Sequence, residues 1–251
     1  MNIPLPVALI QALSEARAVA VLTGAGVSAE SGVPTFREAQ TGLWAEYRPE
    51  DLATPEAFHQ NPQRVWEWYQ WRRDLVAKVG PNPGHDALVE MEAHITARGG
   101  AFTLLTQNVD GLHHQAGSQH IYELHGNIQR IKCAQCGIEA QGWTADESPP
   151  RCQQLGCNGL LRPDVVWFGE SLPQRALQAA IEAAHACEIF FSIGTSALVQ
   201  PAASLPLMAL ESDALLVEIN PQPTPLTPRA DFALQGASGE ILPELVERIW
   251  G

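Results

Sequence analysis

Four cysteines between residues 133 and 157 form the clearest chemical pattern in this chain. They are spaced as Cys133-x2-Cys136 and, fifteen residues further on, Cys152-x4-Cys157. Two thiol pairs on two loops can supply the four thiolates of a tetrahedral zinc site. Because the protein would fill every position, the metal would be structural and the catalytic groups must lie elsewhere. Coincidental pairs or two disulfides are the alternatives, but nothing else in the sequence suggests an oxidising compartment.

A second pattern is the glycine-rich segment at residues 23–29, Thr-Gly-Ala-Gly-Val-Ser-Ala, which fits G-x-G-x-x-G/A after an apolar run. Such glycines permit a tight turn and close approach of the backbone to a pyrophosphate. A tight turn without a ligand is the alternative. A dehydrogenase would place a ribose-binding acid about 20 residues further on, but Glu46 lies in a helical, aromatic stretch. A dinucleotide is therefore not expected to bind here as in a dehydrogenase.

Residues 30–37 continue this segment in an unusual way, because Gly and Pro follow the loop closely and interrupt the helix. We expect Phe36 and Arg37 to lie near the phosphates, where they could cover a cofactor.

The composition is that of an acidic globular protein. Of 251 residues, 45% are hydrophobic and 17% charged, and 15 Lys and Arg against 28 Asp and Glu give a net charge of −13. This balance argues against non-specific nucleic-acid binding and weakly favours a basic partner, such as a lysine-rich protein segment. No apolar run approaches the roughly 20 residues of a membrane span, and the first residues lack a basic signal-peptide region. We therefore expect a cytoplasmic protein without membrane attachment, with Cys187 as a buried thiol.

Four apolar runs supply the scaffold that these motifs need. Residues 18–23, 101–106, 188–193 and 214–219 are predicted to be buried strands, each followed by small or polar residues. Helical stretches such as 83–98 and 173–186 lie between them, and this alternation predicts a parallel α/β sheet. Ligands bind such sheets beyond the carboxyl ends of the strands, where the loops after these runs lie.

Two segments interrupt the α/β pattern. Residues 38–80 are helical and aromatic, and residues 129–161 carry the cysteines. Together they would form a smaller domain with a cleft where it meets the sheet. The predicted fold is a Rossmann-like parallel sheet with helices on both faces, formed by residues 1–37, 81–128 and 162–251, plus this inserted helical and zinc-ribbon domain.

Several motifs occur along the chain in this order: GAGVSAESGVPTFR at 24–37, TQNVDGLH at 106–113, ELHG at 123–126, the four cysteines, GTS at 194–196 and a strand ending in Asn220. Over nearly the whole chain, this set resembles the sirtuins, which are NAD-dependent protein lysine deacylases. The resemblance implies that NAD is consumed, with attack of the acyl-lysine carbonyl oxygen on the ribose and loss of nicotinamide. A histidine then acts as general base, and the products are free lysine, nicotinamide and O-acyl-ADP-ribose.

The resemblance also implies roles for individual residues. His125 matches the general base, a role that needs a side chain titrating near neutral pH, and Asn108 is the second predicted catalytic residue. Gln107, Asn108 and Asp110 match the stretch that faces the nicotinamide and its ribose. Read alone, these residues would be loop-capping polar groups. The predicted cofactor-binding residues are Gly24, Ala25, Gly26, Ser28, Phe36, Arg37, Gln107, Asn108, Val109, Asp110, Gly194, Thr195, Ser196, Asn220 and Ala237.

Residues 164–170 match the segment that receives the substrate peptide in sirtuins. Such peptides bind as an added strand, and main-chain hydrogen bonds give affinity with little sequence preference. Val165 and Val166 would line the lysine channel, while Phe168, Gly169 and Glu170 would hold the peptide backbone. An ordinary edge strand is the alternative interpretation.

Tyr69 and Arg72 lie three residues apart in a predicted helix and so share one face. By composition alone, this is an aromatic core face beside solvated arginines. In sirtuins, Tyr-x-x-Arg at this place marks the subgroup that removes acidic acyl groups such as succinyl and malonyl. A guanidinium group can bind a carboxylate through two hydrogen bonds, and the phenol adds a third donor. We therefore predict a preference for succinyl- and malonyl-lysine with weaker deacetylation.

Other activities remain open from the sequence. A mono-ADP-ribosyltransferase would use the same NAD site, and the protein could be mainly a deacetylase. A non-catalytic acyl-lysine binder would not need His125, Asn108 and the complete glycine loop. The missing ribose-binding acid argues against a dehydrogenase.

Overall fold

The structure is a computed structural model that describes residues 5–34, 47–143 and 147–251. The helices and strands of these ranges follow in chain order. They are α1 (Val7–Glu15), β1 (Ala18–Thr23), α2 (Ala25–Ala29), α3 (Pro49–Leu52), α4 (Pro55–Gln60), α5 (Pro62–Val76), α6 (Pro83–Ala97), β2 (Ala101–Thr106), α7 (Leu112–Ala116), β3 (Ile121–Glu123), β4 (Gly126–Cys133), β5 (Leu161–Val165), α8 (Gln174–Ala186), β6 (Ile189–Ile193), α9 (Leu205–Glu211), β7 (Leu215–Asn220), β8 (Phe232–Gln235) and α10 (Ser238–Trp250).

Six strands form one parallel sheet in the order β3-β2-β1-β6-β7-β8. The four predicted strands are its central members β2, β1, β6 and β7. The edge strands β3 and β8 were not predicted, because they are only three and four residues long and only partly buried. The strand order changes direction at β1, so the crevice for a ligand is expected at the carboxyl ends of β1 and its neighbours.

Helices cover both faces of this sheet, as predicted. On one face, α1, α6 and α10 bury residues such as Leu9, Leu88 and Leu242 against the strands, and on the other face α8 and α9 do so. Consecutive residues of β6 show the alternation, because Phe190 and Phe191 are both fully buried but belong to opposite faces. The predicted Rossmann-like fold is confirmed.

A smaller module is built around an antiparallel pair of strands, β4 and β5. Helices α3 to α5 pack on this pair through an aromatic cluster that includes Phe58, Trp68 and Trp167. Helix α5 begins sharply because Asn61 caps it, accepting the Arg64 N–H at 3.0 Å. Strand β4 crosses the predicted junction at residues 128–129. The division into domains stays a prediction.

Two further expectations concern the thiol of Cys187 and membrane-spanning helices. Cys187 is 7% exposed and packs in the core, as expected, and burial raises the pKa of its thiol to about 12. Within the described ranges, no helix is both long and apolar enough to span a membrane.

Candidate active site

Two loops at the carboxyl ends of β1 and β6 pack against each other through their backbones. Gly24 donates its N–H to the Ile193 carbonyl at 2.9 Å, and Gly26 donates to the Gly194 carbonyl at 2.8 Å. Gly194 has φ +60°, and a Cβ atom there would lie 2.5 Å from the Val27 nitrogen. Only glycine fits this approach. The glycines predicted to lie against a pyrophosphate therefore also join the loops that would hold it.

Helix α2 ends after five residues, at Ala29. Gly32 follows with φ +85°, a left-handed conformation that does not continue a helix. The predicted interruption after the glycine loop is thus confirmed. Phe36 and Arg37, the predicted covering residues, lie outside the described residues, and their role stays a prediction.

The loop after β2 is tied to both of these loops by its amide side chains. Asn108 is buried, and its Nδ2 donates to the Gly24 carbonyl and to Ser28 Oγ, each at 3.0 Å. Gln107 Nε2 donates to Thr195 Oγ1 at 3.1 Å. Because the Asn108 nitrogen is used inside the protein, its Oδ1 is the atom that it can offer to a donor of a ligand.

Val109 and Asp110 shape the same loop. The buried Asp110 accepts the N–H of Leu112, the first residue of α7, at 2.9 Å. The Val109 carbonyl accepts the Ile128 N–H at 2.8 Å, which joins the loop to β4. Both predicted cofactor residues therefore have a structural task in addition to any contact with NAD.

The predicted adenosine side lies at the ends of β6 and β7. Asn220 Nδ2 donates to the Thr195 carbonyl at 2.8 Å, which holds the end of β7 against the turn after β6. Ser196, next in that turn, is exposed. Ala25, in the first turn of α2, is partly exposed. These loops collect neutral hydroxyl, amide and backbone N–H groups, which fit the diphosphate and sugar hydroxyls of NAD.

One contact on this side was missed by sequence reasoning. The Glu30 carboxylate accepts Ser238 Oγ at 2.7 Å and the Gly239 N–H at 3.0 Å. It therefore fixes the start of α10, which follows Ala237, against the end of α2. The two partners are about 208 residues apart in sequence, so no local signal marks the pair.

His125 is partly buried in the turn between β3 and β4. Its Nδ1 lies 3.0 Å from the Gln107 carbonyl, and since a carbonyl only accepts, Nδ1 carries the proton. Burial lowers the pKa of His125, an effect that the hydrogen bond to Gln107 partly opposes. At neutral pH the ring is therefore neutral, with a lone pair on Nε2, which is the state of a general base.

The sequence did not suggest a role for His113, which is buried in the structure. His113 Nε2 is 3.0 Å from Thr23 Oγ1, whose hydroxyl bonds Thr106 Oγ1 at 2.9 Å. Thr106 Oγ1 in turn accepts the Asn108 N–H at 3.1 Å. This chain of hydrogen bonds links His113 to the predicted catalytic amide. Burial lowers the pKa of His113 to about 3, with a smaller contribution from His85, so the ring is neutral.

The predicted peptide segment begins directly beside the histidine base. Val166 donates its N–H to the His125 carbonyl at 2.9 Å and is partly exposed, whereas Val165 is buried in the aromatic cluster of the smaller module. Phe168 is 42% exposed, and Gly169 is also exposed. Val166 and Phe168 are thus the apolar side chains of this segment that are accessible at the surface.

Glu170 has partners within its own loop. Its carboxylate accepts hydrogen bonds from Arg162 at 2.5 and 2.9 Å and from the Trp167 N–H at 2.8 Å. Burial opposes ionisation, but these donors bring the pKa of Glu170 below its usual range. The carboxylate therefore shapes the loop whether or not a peptide is present.

Tyr69 and Arg72 lie on the face of α5 that meets β4 and β5. Tyr69 is 1% exposed, and its hydroxyl accepts the indole N–H of Trp167 at 2.9 Å. The Arg72 guanidinium carbon lies 5.0 Å from the centre of the Trp68 ring. Burial lowers the pKa of Arg72, and electrostatic interactions with Tyr69 and Asp110 oppose this change. The helix therefore brings Arg72 within electrostatic reach of the cofactor loop.

The four cysteines come together as predicted. Their sulfur atoms all lie within 4.8 Å of one another, with Cys133 and Cys157 at 3.7 Å and Cys136 and Cys152 at 3.8 Å. In a tetrahedral zinc site with bonds of about 2.3 Å, the sulfurs are about 3.8 Å apart. All four thiols are free. The sulfurs fit a structural zinc ion that would close the loops beyond β4.

The topology and the crevice define a class of protein, a Rossmann-like nucleotide-binding protein with an inserted four-cysteine module. A family profile described as the Sir2 family matches residues 24–201. The chain belongs to this family, the sirtuins. It is 51% identical over 238 residues to NAD-dependent protein deacylase 2 of Pyrobaculum aerophilum, covering 94% of this chain and 93% of that protein.

Solved structures agree with this assignment. One described as a Sir2 homolog–NAD complex has a TM-score of 0.89 and 44% identity, and the match covers 99% of this chain and 95% of that one. Another, described as Sir2 bound to acetylated peptide, has a TM-score of 0.84 and 30% identity, covering 96% and 97%. The predicted resemblance to sirtuins is confirmed. The preference among acyl groups and the roles of single residues stay predictions.

Proposed function

We propose that this sirtuin is an NAD-dependent protein-lysine deacylase that prefers succinyl- and malonyl-lysine to acetyl-lysine. The observation that carries the preference is the position of Tyr69 and Arg72. They share one face of α5, packed on β4 and β5, and Arg72 is close enough to Asp110 for the two charges to interact. Asp110 belongs to the predicted nicotinamide loop, and Tyr69 bonds to Trp167 of the predicted peptide segment, so the pair has a neighbour in each region.

Burial makes the Arg72 cation selective. Water screens charges weakly at a partly buried site, so a carboxylate of the acyl group gains more there than at an exposed arginine. Arg72 can bind it through two hydrogen bonds, and the phenol of Tyr69 is a further donor. A charged, hydrogen-bonded pair of this kind is worth about 1.5–3 kcal/mol. An acetyl group cannot form such a pair.

The reaction centre is supported by the geometry of the loops. Bound NAD would supply the ribose carbon whose bond to nicotinamide breaks. Asn108 can orient a ligand donor through Oδ1, because its Nδ2 is held by Gly24 and Ser28. His125 can accept a proton at Nε2, because Nδ1 is fixed on the Gln107 carbonyl. The N–H of Val166 connects this base to the peptide segment.

Substrates are proposed to be peptides or protein segments that carry an acylated lysine. A relative that shares 30% identity is described as bound to an acetylated peptide. Phe168, Leu198 and Val199 are exposed by 42%, 56% and 41% and lie on the loops after β5 and β6. They offer apolar surface for such a segment. The net charge of −13 favours lysine-rich partners.

The test is a side-by-side assay on one peptide that carries acetyl-, succinyl- or malonyl-lysine, with the Arg72→Met variant. We expect kcat/KM for succinyl-lysine to fall about 10- to 150-fold in the variant, the equivalent of 1.5–3 kcal/mol. Deacetylation should change by only a few-fold. The control is Arg64→Met, which removes an exposed arginine from the same helix. It should leave both activities near the wild type.

Three outcomes would count against the proposal. Equal loss of both activities in Arg72→Met would make Arg72 a structural residue. Removal of acetyl alone by the wild type would make the protein mainly a deacetylase. A gain of ADP-ribose mass on the target, without loss of the acyl mass, would indicate a transferase.

A further inference from the structure

A single hydrogen bond connects the peptide segment to the predicted acyl-reading helix. The indole N–H of Trp167 donates to the Tyr69 hydroxyl oxygen at 2.9 Å, and the two side chains are 2% and 1% exposed. An indole nitrogen can only donate, so the phenol oxygen must be the acceptor. The proton of Tyr69 is therefore not used in this bond and must point away from Trp167.

The proton of Tyr69 is available to a ligand. In the described part of the chain, Trp167 is the only hydrogen-bond partner of the phenol. Burial raises the pKa of Tyr69 to about 12, so the hydroxyl keeps its proton at neutral pH. A buried donor without an acceptor costs free energy, which an acceptor from a bound molecule would recover. A carboxylate, which only accepts, has the matching chemistry.

Trp167 is itself held in one orientation. The Arg162 guanidinium carbon lies 3.3 Å from the centre of the indole ring, and Glu170 binds that guanidinium group through both carboxylate oxygens. Glu170 also accepts the backbone N–H of Trp167 at 2.8 Å. On another side, Phe58 packs with its ring centre 5.3 Å away. The direction of the indole N–H is therefore fixed before a substrate arrives.

We propose that Trp167 is a specificity-determining positioning residue. By occupying the acceptor side of the Tyr69 oxygen, it fixes the phenol as a donor toward the carboxylate of a dicarboxylic acyl group. This inference rests on the proposed acyl preference and adds a residue from the peptide segment to it. The segment proposed to receive the peptide thereby determines the direction in which the Tyr69 hydroxyl donates its hydrogen bond.

The experiment measures kcat/KM for succinyl- and acetyl-lysine on one peptide in four proteins: wild type, Trp167→Phe, Tyr69→Phe and the double variant. Trp167→Phe removes the N–H and keeps an aromatic ring. We expect the succinyl-to-acetyl ratio to fall about threefold to tenfold in Trp167→Phe. In the Tyr69→Phe background the same change should leave the ratio where it is, because the hydroxyl that Trp167 orients is absent.

Replacing Trp167 by 3-benzothienylalanine separates the loss of the N–H from a loss of packing, because this residue keeps the bicyclic shape and lacks the N–H. It should reproduce the fall in the ratio with an unchanged Tm. An unchanged ratio in both substitutions would overturn the role of Trp167, as would an equal fall in the Tyr69→Phe background. A wild type without succinyl preference would instead overturn the proposed acyl specificity, and the role of Trp167 with it.

Discussion

The cofactor crevice and the smaller module, which carries Tyr69 and Arg72, each contain a contact that joins separate elements, and the two contacts differ in kind. In the crevice, the loops after β1 and β6 bond backbone to backbone, as in the pair Gly26 and Gly194 at 2.8 Å. In the module, helix α5 and the loop after β5 are joined by side chains, as in Trp167 and Tyr69 at 2.9 Å. Side chains such as Asn108 also tie the crevice loops together, but the contact between Gly26 and Gly194 requires a backbone conformation that favours glycine. The contact between α5 and the loop after β5 requires particular functional groups.

This difference separates two properties of the enzyme. The crevice tolerates no Cβ at glycines such as Gly194, so substitution there should affect every substrate alike. A side-chain network can lose one group and keep its shape, so substitution there should change selectivity. The chemistry common to all acyl groups is thus expected in the crevice, and discrimination among acyl groups in the module.

The largest effect is expected from Gly194→Ala. The new Cβ would lie 2.5 Å from the Val27 nitrogen at a φ of +60°, so the two loops must separate. We expect no measurable NAD binding and no turnover of either acyl peptide, with the free energy of unfolding lowered by about 3 kcal/mol. Calorimetric titration with NAD and urea denaturation provide the measurements.

Gly80→Ala is the matched control, because a Cβ there meets no atom within 4 Å. It should keep binding and activity. Retention of NAD binding in Gly194→Ala would break the comparison, since the crevice would then not depend on this backbone contact.

His125→Asn is expected to lower kcat about 100- to 10,000-fold, the usual contribution of a general base. Both acyl substrates should lose activity equally, because the predicted role of His125 lies in the chemistry that the two substrates share. In the wild type, burial lowers the pKa of His125, so the acidic fall of kcat/KM should lie below about pH 6.5. The exposed His59→Asn is the control. An acidic limb above this pH, or different losses for the two substrates, would contradict the assignment.

Cys133→Ser should affect the module and spare the crevice. Structural zinc contributes folding free energy, so we expect the metal content to fall from about one zinc per chain and the melting transition of the protein to broaden. Deacylation should fall less than in His125→Asn, while NAD binding persists. Cys187→Ala is the control, because that thiol lies in the core of the sheet domain. A wild type purified without metal would contradict the site itself.

The smallest effect concerns His113 and appears only with changing pH. Its folded pKa is about 3, against about 6.5 in an unfolded chain. Between these pH values the unfolded state binds more protons than the folded state. The contribution of His113 to the free energy of unfolding is therefore fully present above about pH 6.5 and is lost as the pH falls. His113→Gln should reduce the slope of the free energy of unfolding against pH by up to about 1.4 kcal/mol per pH unit. Urea denaturation at pH 7, 6 and 5 measures it, and equal slopes in both proteins would refute the burial argument.

Local sequence patterns predicted those parts of the molecule where a run or pair of one residue type has a single common structural role. The four central strands were predicted because each is a continuous apolar run, and the zinc site because paired thiols have few other purposes in a reduced protein. The edge strands β3 and β8 were not, since they are short and partly exposed. The role of Glu170 as a partner of Arg162 also escaped, because charge pairing within a loop leaves no periodic signal.

The sequence by itself determined the sheet, the glycine loop, the cysteine ligands and membership of the sirtuins, because these depend on spacing and on residue type. The tertiary structure decided the protonation states of the histidines and the directions of the hydrogen-bond donors. Only the fold sets His125 Nδ1 against the Gln107 carbonyl, buries His113 and turns the Trp167 N–H onto Tyr69. Protonation and donor direction depend on neighbours that are distant in the chain, and only folding brings these neighbours together.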